Sequence, residues 1–200
     1  MFTSEEGAVE MLEELGAYQI GHFVLASGRH AQGYVDAWAA YADPGSSHRL
    51  TTGLLSLALE NEDESKPIDV FMGPERAAIW LCKEMSILAR RNYGRKVLSM
   101  FAEKDKSRPD EKYAFVIPRR WAGMLKGKRV AIIEDVSTTG GSFAEVARLV
   151  AECQATVVMV VIIWNRGKVT AEQTGVPAIF ALVNQTIDSS EADKCPDCHS

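Results

Sequence analysis

Val130-Ala131-Ile132-Ile133-Glu134-Asp135-Val136-Ser137-Thr138-Thr139-Gly140-Gly141-Ser142 is the stretch that decides the fold. Four apolar residues, Val130 to Ile133, make a short buried strand over 129–133. Two acids stand at its exit. A turn rich in hydroxyls and glycines follows and feeds a helix over 142–153. A helix start offers unpaired backbone N–H groups and the positive end of the helix dipole, so it holds a phosphate well. Gly140 and Gly141 let the backbone approach an anion and take positive φ. Ser137, Thr138, Thr139 and Ser142 bring hydroxyl groups to the same turn. Ser142 and Glu145 also have capping-box spacing.

Glu134 and Asp135 would repel a bare phosphate at their own position. They make sense facing hydroxyl groups, or a magnesium ion that bridges to further phosphate oxygens. A ligand with a phosphate at one end, a diol in the middle and a metal-bound diphosphate at the other meets all these demands. Phosphoribosyl pyrophosphate is such a ligand. The stretch is not a Walker loop, because no lysine follows the glycines, and adjacent glycines do not make a dinucleotide fingerprint.

Outward from this stretch, apolar strands alternate with helices. Strands are expected over 68–72, 97–101, 156–164 and 178–183, and a helix over 76–91. Such alternation implies an α/β fold with a parallel sheet covered on both faces. Ligands of these sheets bind at the carboxyl ends of the strands. That rule points to Gly73-Pro74, Glu103-Lys104, Glu134-Asp135 and Asn165-Arg166. Residues 107–112 are polar and carry Pro109, which predicts a mobile loop.

Toward the N-terminus, Thr3 and Glu6 have capping-box spacing, and Ala8, Met11, Leu12 and Leu15 recur at helical intervals up to Gly16. Strands over 23–26 and 34–38 are expected to flank a Ser27-Gly28-Arg29-His30 turn. Pro44 to Ser47 reads as a break and cap before a helix striped with Leu50, Leu54, Leu57 and Ala58. The division expected is a small hood over roughly residues 1–40 plus the C-terminal segment, and a core over roughly 45–185.

The chain has 200 residues, 46% apolar, with 27 acids against 22 bases and a net charge of −5. That balance argues against nucleic acid or an anionic membrane as a partner, while leaving room for a local anion pocket. The apolar run from Val157 to Trp164 is too short to span a bilayer, and no secretory pattern opens the sequence. A cytoplasmic protein is expected. Cys82 and Cys153 read as small core residues. Cys195-Pro196-Asp197-Cys198-His199 has the spacing of half a zinc site. A closed site needs four ligands and only three lie together, so the tail thiols are expected to stay free or pair loosely. His22 and His30 read as structural residues.

The segment 130–142 resembles the phosphoribosyl-pyrophosphate motif of type I phosphoribosyltransferases. Gly21-His22-Phe23-Val24-Leu25-Ala26-Ser27-Gly28-Arg29-His30 and Tyr34-Val35-Asp36 resemble the N-terminal hood of the orotate branch. Phe101-Ala102-Glu103-Lys104 is similar to the start of its flexible loop. Phe180 to Asn184, Asp193 and the Cys195–Cys198 ending resemble its C-terminus in one bacterial group. The resemblance implies a parallel-sheet core with a small N-terminal hood, a homodimer, and Mg²⁺ as cofactor. It implies transfer of phosphoribosyl from phosphoribosyl pyrophosphate to orotate. In that scheme Gly73, Pro74, Glu134, Asp135 and Ser137 to Ser142 bind phosphoribosyl pyrophosphate. Glu134 and Asp135 reach the metal indirectly, through ribose hydroxyls or water. Lys104 acts with them in catalysis by neutralising the leaving diphosphate. Arg166 holds the orotate carboxylate, a task that suits a guanidinium fork. Arg29 and Tyr34 shape the base pocket or the subunit contact.

The chain departs from the family pattern at Glu75-Arg76-Ala77-Ala78, where small glycines or a lysine usually approach diphosphate, and at Ala26 and Ala37, where lysines are usual. Two other readings therefore stand beside orotate transfer: a phosphoribosyltransferase for another base, and a non-catalytic sensor that binds phosphoribosyl pyrophosphate.

Overall fold

The computed structural model describes residues 4–25 and 28–198. Thr3, Ala26, Ser27 and His199 therefore lie outside the described residues. Helix α1 (Glu5–Glu14) is capped by Ser4, whose hydroxyl accepts from Gly7 N at 3.2 Å. Strands β1 (Tyr18–Val24) and β2 (His30–Val35) form an antiparallel hairpin. The expected strand over 34–38 is instead the end of β2 followed by helix α2 (Ala37–Ala42). Asp36 breaks the strand because its carboxylate accepts from Trp38 N at 3.0 Å, and the alanines beyond it favour helix. Helix α3 (Pro44–Glu60) starts with Pro44 in its first turn and Asp43 as its cap.

The core then builds in order. Strand β3 (Val70–Pro74) leads through helix α4 (Ala77–Tyr93) to strand β4 (Leu98–Lys104). A loop returns to the short strand β5 (Phe115–Val116) and helix α5 (Arg119–Leu125). Strand β6 (Arg129–Ser137), helix α6 (Gly141–Glu152), strand β7 (Thr156–Asn165), helix α7 (Ala171–Thr174) and strand β8 (Ile179–Val183) follow. The tail contributes a two-residue strand, β9 (Ser189–Ser190), and two 3-10 turns over Ala192–Lys194 and Pro196–Cys198.

The large sheet has the order β5-β4-β3-β6-β7-β8, parallel except for β5. Counting only its parallel strands, the order is 2-1-3-4-5, a doubly wound arrangement whose topological switch lies between β3 and β6. Alternate residues of each strand face opposite layers. Phe71, Ala131, Ile133, Val161 and Ile163 pack in one cluster with α1, α3 and α4. Val70, Met72, Val130, Ile132, Val160 and Ile162 pack on the other face with Phe143, Val146 and Val150 of α6. Each such side chain contributes about 1.5–3 kcal/mol on burial, which fixes α6 and hence the turn at its start. A second sheet, β1-β2-β9, joins the hairpin to the tail.

No helix among the described residues is long and apolar enough to cross a membrane.

Candidate active site

The exits of β3 and β6 stand side by side at the switch point. Strand β6 runs on past its apolar stretch through Glu134 and Asp135 to Ser137, and Ser137 pairs with Asn165 of β7. The turn 138–140 and the start of α6 follow. Gly140 has φ of +76°, and a methyl group there would meet Thr174, Val169 and Phe143 within 3 Å. Gly141 has no room either: its Cβ would lie 2.3 Å from the Tyr113 ring. Neither N-cap residue, Gly140 of α6 nor Arg76 of α4, makes a side-chain capping bond, so both helices present open N-terminal turns toward the switch point.

Ser142 is not a helix cap. Its hydroxyl donates to Glu134 Oε2 at 2.6 Å, and Gly140 occupies the cap position. The reason is the cost of burying a carboxylate, which outweighs a capping bond available elsewhere to water. Glu134 is 5% exposed. Burial, and the neighbouring Asp135 charge, push its carboxyl well above the usual range. Asp135 is half-buried and accepts from Val136 N at 2.7 Å.

Two buried hydroxyls near this pair have no hydrogen-bond partner among the described residues: Ser137 Oγ and Tyr41 Oη. Burial raises the Tyr41 phenol, and the charges of Asp135, Glu134 and Asp36 raise it further. The end of the hairpin and α2 are thereby brought against the acidic pair. Tyr41 was not singled out in the sequence, because it falls between the strand expected over 34–38 and the break at Pro44, where no element was expected.

Thr138 and Thr139 are exposed at the turn, and the Tyr113 hydroxyl lies 2.9 Å from Thr139 Oγ1. Tyr113 is thus a second member that sequence reasoning missed. Burial would raise its phenol, but the Thr139 hydroxyl and the Lys112 and Lys104 cations more than offset this and hold it below its usual value. Lys104 ends β4 and is bound inside its own loop: Nζ donates to the Lys112 carbonyl at 2.6 Å and sits 4.3 Å from the centre of the Phe115 ring.

Gly73 and Pro74 close β3 in full burial. A Cβ on Gly73 would lie 2.1 Å from the Ile133 carbonyl oxygen, so only glycine lets β3 approach β6 this closely. Arg76, at the start of α4, lies over the Trp38 ring at 5.9 Å. Arg166 follows β7 and is half-buried. Its neighbour Gly167 donates to the Ser137 carbonyl at 3.1 Å and would strike the Thr138 carbonyl if it carried a Cβ. Buried Asn165 braces the same turn through Val169, donating to its carbonyl at 3.0 Å and accepting from its N–H at 2.9 Å. The Arg166 turn is therefore fastened to the phosphate-loop turn.

Two of the residues singled out stand elsewhere. Arg29 grips the tail, through Ser189 and Glu191. Tyr34 lies on the hairpin, 40% exposed, stacked on Phe23 with ring centres 5.6 Å apart.

An acidic strand exit running into an open helix start, beside the end of β3, is found together with a match in sequence. A family model described as a phosphoribosyl transferase domain matches residues 38–183. An orotate phosphoribosyltransferase of Caldanaerobacter subterraneus is 32% identical over 196 residues, covering 97% of this chain and 92% of that protein. The chain belongs to the orotate phosphoribosyltransferase family. Among solved structures, the Mycobacterium tuberculosis orotate phosphoribosyltransferase in complex with 5-phospho-α-D-ribosyl 1-diphosphate superposes with a TM-score of 0.63 at 20% identity, over 88% of this chain and 94% of that one. A Saccharomyces cerevisiae adenine phosphoribosyltransferase gives 0.64 at 21% identity, over 88% and 99%. The fold is therefore common to phosphoribosyltransferases of different bases, and it is the sequence relatives of the orotate family that separate them.

Proposed function

We propose that the chain transfers the 5-phosphoribosyl group of phosphoribosyl pyrophosphate to orotate, giving orotidine 5′-monophosphate and diphosphate in pyrimidine biosynthesis. The observation that carries this reading is the Glu134–Asp135 exit of β6 opening into the uncapped start of α6, in a chain of the orotate family.

In this reading the turn Ser137 to Ser142 takes the 5′-phosphate on backbone N–H groups and hydroxyls. Glu134 and Asp135 accept hydrogen bonds from the ribose diol. The Gly73-Pro74 exit and the open start of α4 receive the diphosphate. Arg166 pairs with the orotate carboxylate. Lys104 exchanges the Lys112 carbonyl for the diphosphate, where its charge offsets the negative charge that builds as the C1 bond breaks. Tyr113 closes over the phosphate turn and keeps water out. Catalysis is positioning and electrostatic stabilisation, with no covalent intermediate on the protein.

The residues fit a hard cation. Adjacent carboxylates supply oxygen donors, and Ser137 Oγ and Tyr41 Oη are buried hydroxyls without a partner among the described residues. Magnesium, when bound with the substrate, would neutralise diphosphate charge; Glu134 and Asp135 would hold it through ribose hydroxyls or water. Exposed Trp38 and Trp80 are apolar surface suited to a second copy of the chain, and a cytoplasmic homodimer is the assembly proposed.

The test is incubation of the protein with phosphoribosyl pyrophosphate, Mg²⁺ and orotate. Loss of orotate absorbance with stoichiometric diphosphate release supports the reading. Turnover with adenine or uracil but not orotate would select a different base. Tight binding of phosphoribosyl pyrophosphate with no turnover of any base would select a sensor, the reading that Glu75 and Arg76 at the diphosphate exit favour.

A further inference from the structure

The C-terminal tail returns to the hairpin with little regular structure to hold it. Strand β9 supplies two paired residues, Ser189 with Ala31 and Ser190 with His30. Beyond it, the turn Cys195–Cys198 closes on itself through Cys198 N donating to the Cys195 carbonyl at 3.2 Å. That turn brings both sulfurs to one side, facing the hairpin.

Two histidines meet them there. In β1 the pairing shifts between Ile20 and Phe23, so that Gly21 and His22 face the single residue Gln32. This bulge re-aims His22. His30, the first residue of β2, stands next to it: His22 Nε2 and His30 Nδ1 are 2.9 Å apart. Cys195 Sγ is 3.4 Å from His22 Nε2, and Cys198 Sγ is 3.5 Å from His22 Nε2 and 3.2 Å from His30 Nδ1. All four ligand atoms lie within 4.8 Å of one another.

Tetrahedral zinc, bound at about 2.0–2.1 Å to nitrogen and about 2.3 Å to sulfur, sets its ligands about 3.3–3.8 Å apart. Four of the six separations run from 2.9 to 3.5 Å and none exceeds 4.8 Å, so small side-chain adjustments bring the four atoms to that spacing. Two thiolates and two neutral imidazoles form a neutral complex with Zn²⁺, and their softness suits that ion over magnesium or calcium. The cysteines are not joined in a disulfide.

We propose that His22, His30, Cys195 and Cys198 bind one zinc ion that locks the C-terminal tail onto the β1–β2 hairpin. All four positions are filled by protein, so the site is closed and structural, and it takes no part in phosphoribosyl transfer. It joins residues as far as 176 apart in the chain, where the two-residue β9 offers few bonds. Arg29 works beside it, through Ser189 and Glu191. The pairing of Cys195 and Cys198 was legible as half a site. The other half lay in the hairpin, and His199 is not needed to complete it.

The test uses the full chain, reduced, without an affinity tag, and titrated with Zn²⁺ and separately with Co²⁺. About one zinc per chain is expected, with a tetrahedral cobalt spectrum that includes a thiolate charge-transfer band. Cys198→Ser and His30→Ala should each reduce retained zinc at least tenfold, while Cys153→Ser retains it. Chelation should lower the thermal midpoint of the parent by roughly 5 °C or more and leave that of Cys198→Ser unchanged. Cys198 is exposed, so its variant is expected to fold. Absence of stoichiometric uptake by the parent, or equal uptake by Cys198→Ser and His30→Ala, would overturn the site. An unchanged midpoint on chelation would overturn its locking role.

Discussion

Ser142 Oγ donates a 2.6 Å hydrogen bond to Glu134 Oε2, across the turn that separates β6 from α6. The bond lowers a carboxyl that burial and Asp135 otherwise push up. Ser142→Ala should raise it further and leave a buried acceptor short of a partner. A stability loss of about 1–2 kcal/mol is expected, with a rise in KM for phosphoribosyl pyrophosphate. Denaturant titration and steady-state kinetics check both. A variant with unchanged stability and unchanged KM would show that the Ser142–Glu134 bond contributes nothing to holding the buried carboxylate.

Glu134 also makes a pH prediction. Its folded pKa is raised above the ordinary 4.5. Stability is therefore fullest below that ordinary value, falls as pH rises toward the folded pKa, and stays reduced above it. Glu134→Gln removes this cost. It should be more stable than the parent at pH 7, by on the order of 1 kcal/mol, with the gain vanishing near pH 4. Binding of phosphoribosyl pyrophosphate should be lost at the same time. Unfolding curves at the two pH values decide; a gain that does not depend on pH would sink the assignment.

The strand, turn and helix around these residues were legible because their signals are local: Val130 to Ile133, two acids, two glycines, then an amphipathic helix. Ser142 was misread because its three-residue spacing to Glu145 is the local signal of a cap, whereas the acid it holds is Glu134, eight residues back, and only the burial of Glu134 reveals that partner. The strand at 34–38 failed for a similar reason, since Asp36 turns an apolar run into a capped helix. Contacts between distant segments left no local mark. Tyr113 reaches Thr139 from 26 residues away, and Arg29 reaches Ser189 from 160. Both residues lie in loops or strand ends whose sequence says nothing about their partners.

Tyr113 makes that distant contact testable. The Cβ of Gly141→Ala would fall 2.3 Å from its ring, so the ring must move. The Tyr113–Thr139 hydrogen bond should break and loop 105–114 should lift from the phosphate turn. Protease cleavage within that loop should quicken several-fold, while global stability falls by less than about 1 kcal/mol, because α6 keeps its packed face. Cleavage at the parental rate would show that the loop is held by other contacts.

Tyr41 carries a buried hydroxyl without a partner among the described residues, beside Asp36, Glu134 and Asp135. Removing an unsatisfied buried hydroxyl while keeping the ring is neutral or favourable to folding. Tyr41→Phe should therefore be at least as stable as the parent, by up to about 1 kcal/mol. If that hydroxyl meets the ribose or its metal, affinity for phosphoribosyl pyrophosphate should fall on the order of tenfold, worth about 1.4 kcal/mol. Calorimetric titration separates the two effects. Lower stability with unchanged affinity would assign the hydroxyl a folding role alone.

Arg166 is held at the turn after β7, and that turn is fastened to the phosphate loop by Gly167 and the Ser137 carbonyl. In the proposed reading this guanidinium pairs with the orotate carboxylate, while the diphosphate lies at the Gly73-Pro74 exit of β3, across the switch point. Arg166→Ala should then raise KM for orotate by on the order of a hundredfold, as expected when one partner of a bidentate carboxylate pair is removed. KM for phosphoribosyl pyrophosphate should change by less than about threefold, a shift too small to signal a lost charged contact. Arg166→Lys should recover only part of the loss, because an ammonium lacks the planar fork. Initial rates with each substrate varied in turn distinguish the cases. Equal rises in both KM values would argue that Arg166 props the loop and does not hold the carboxylate.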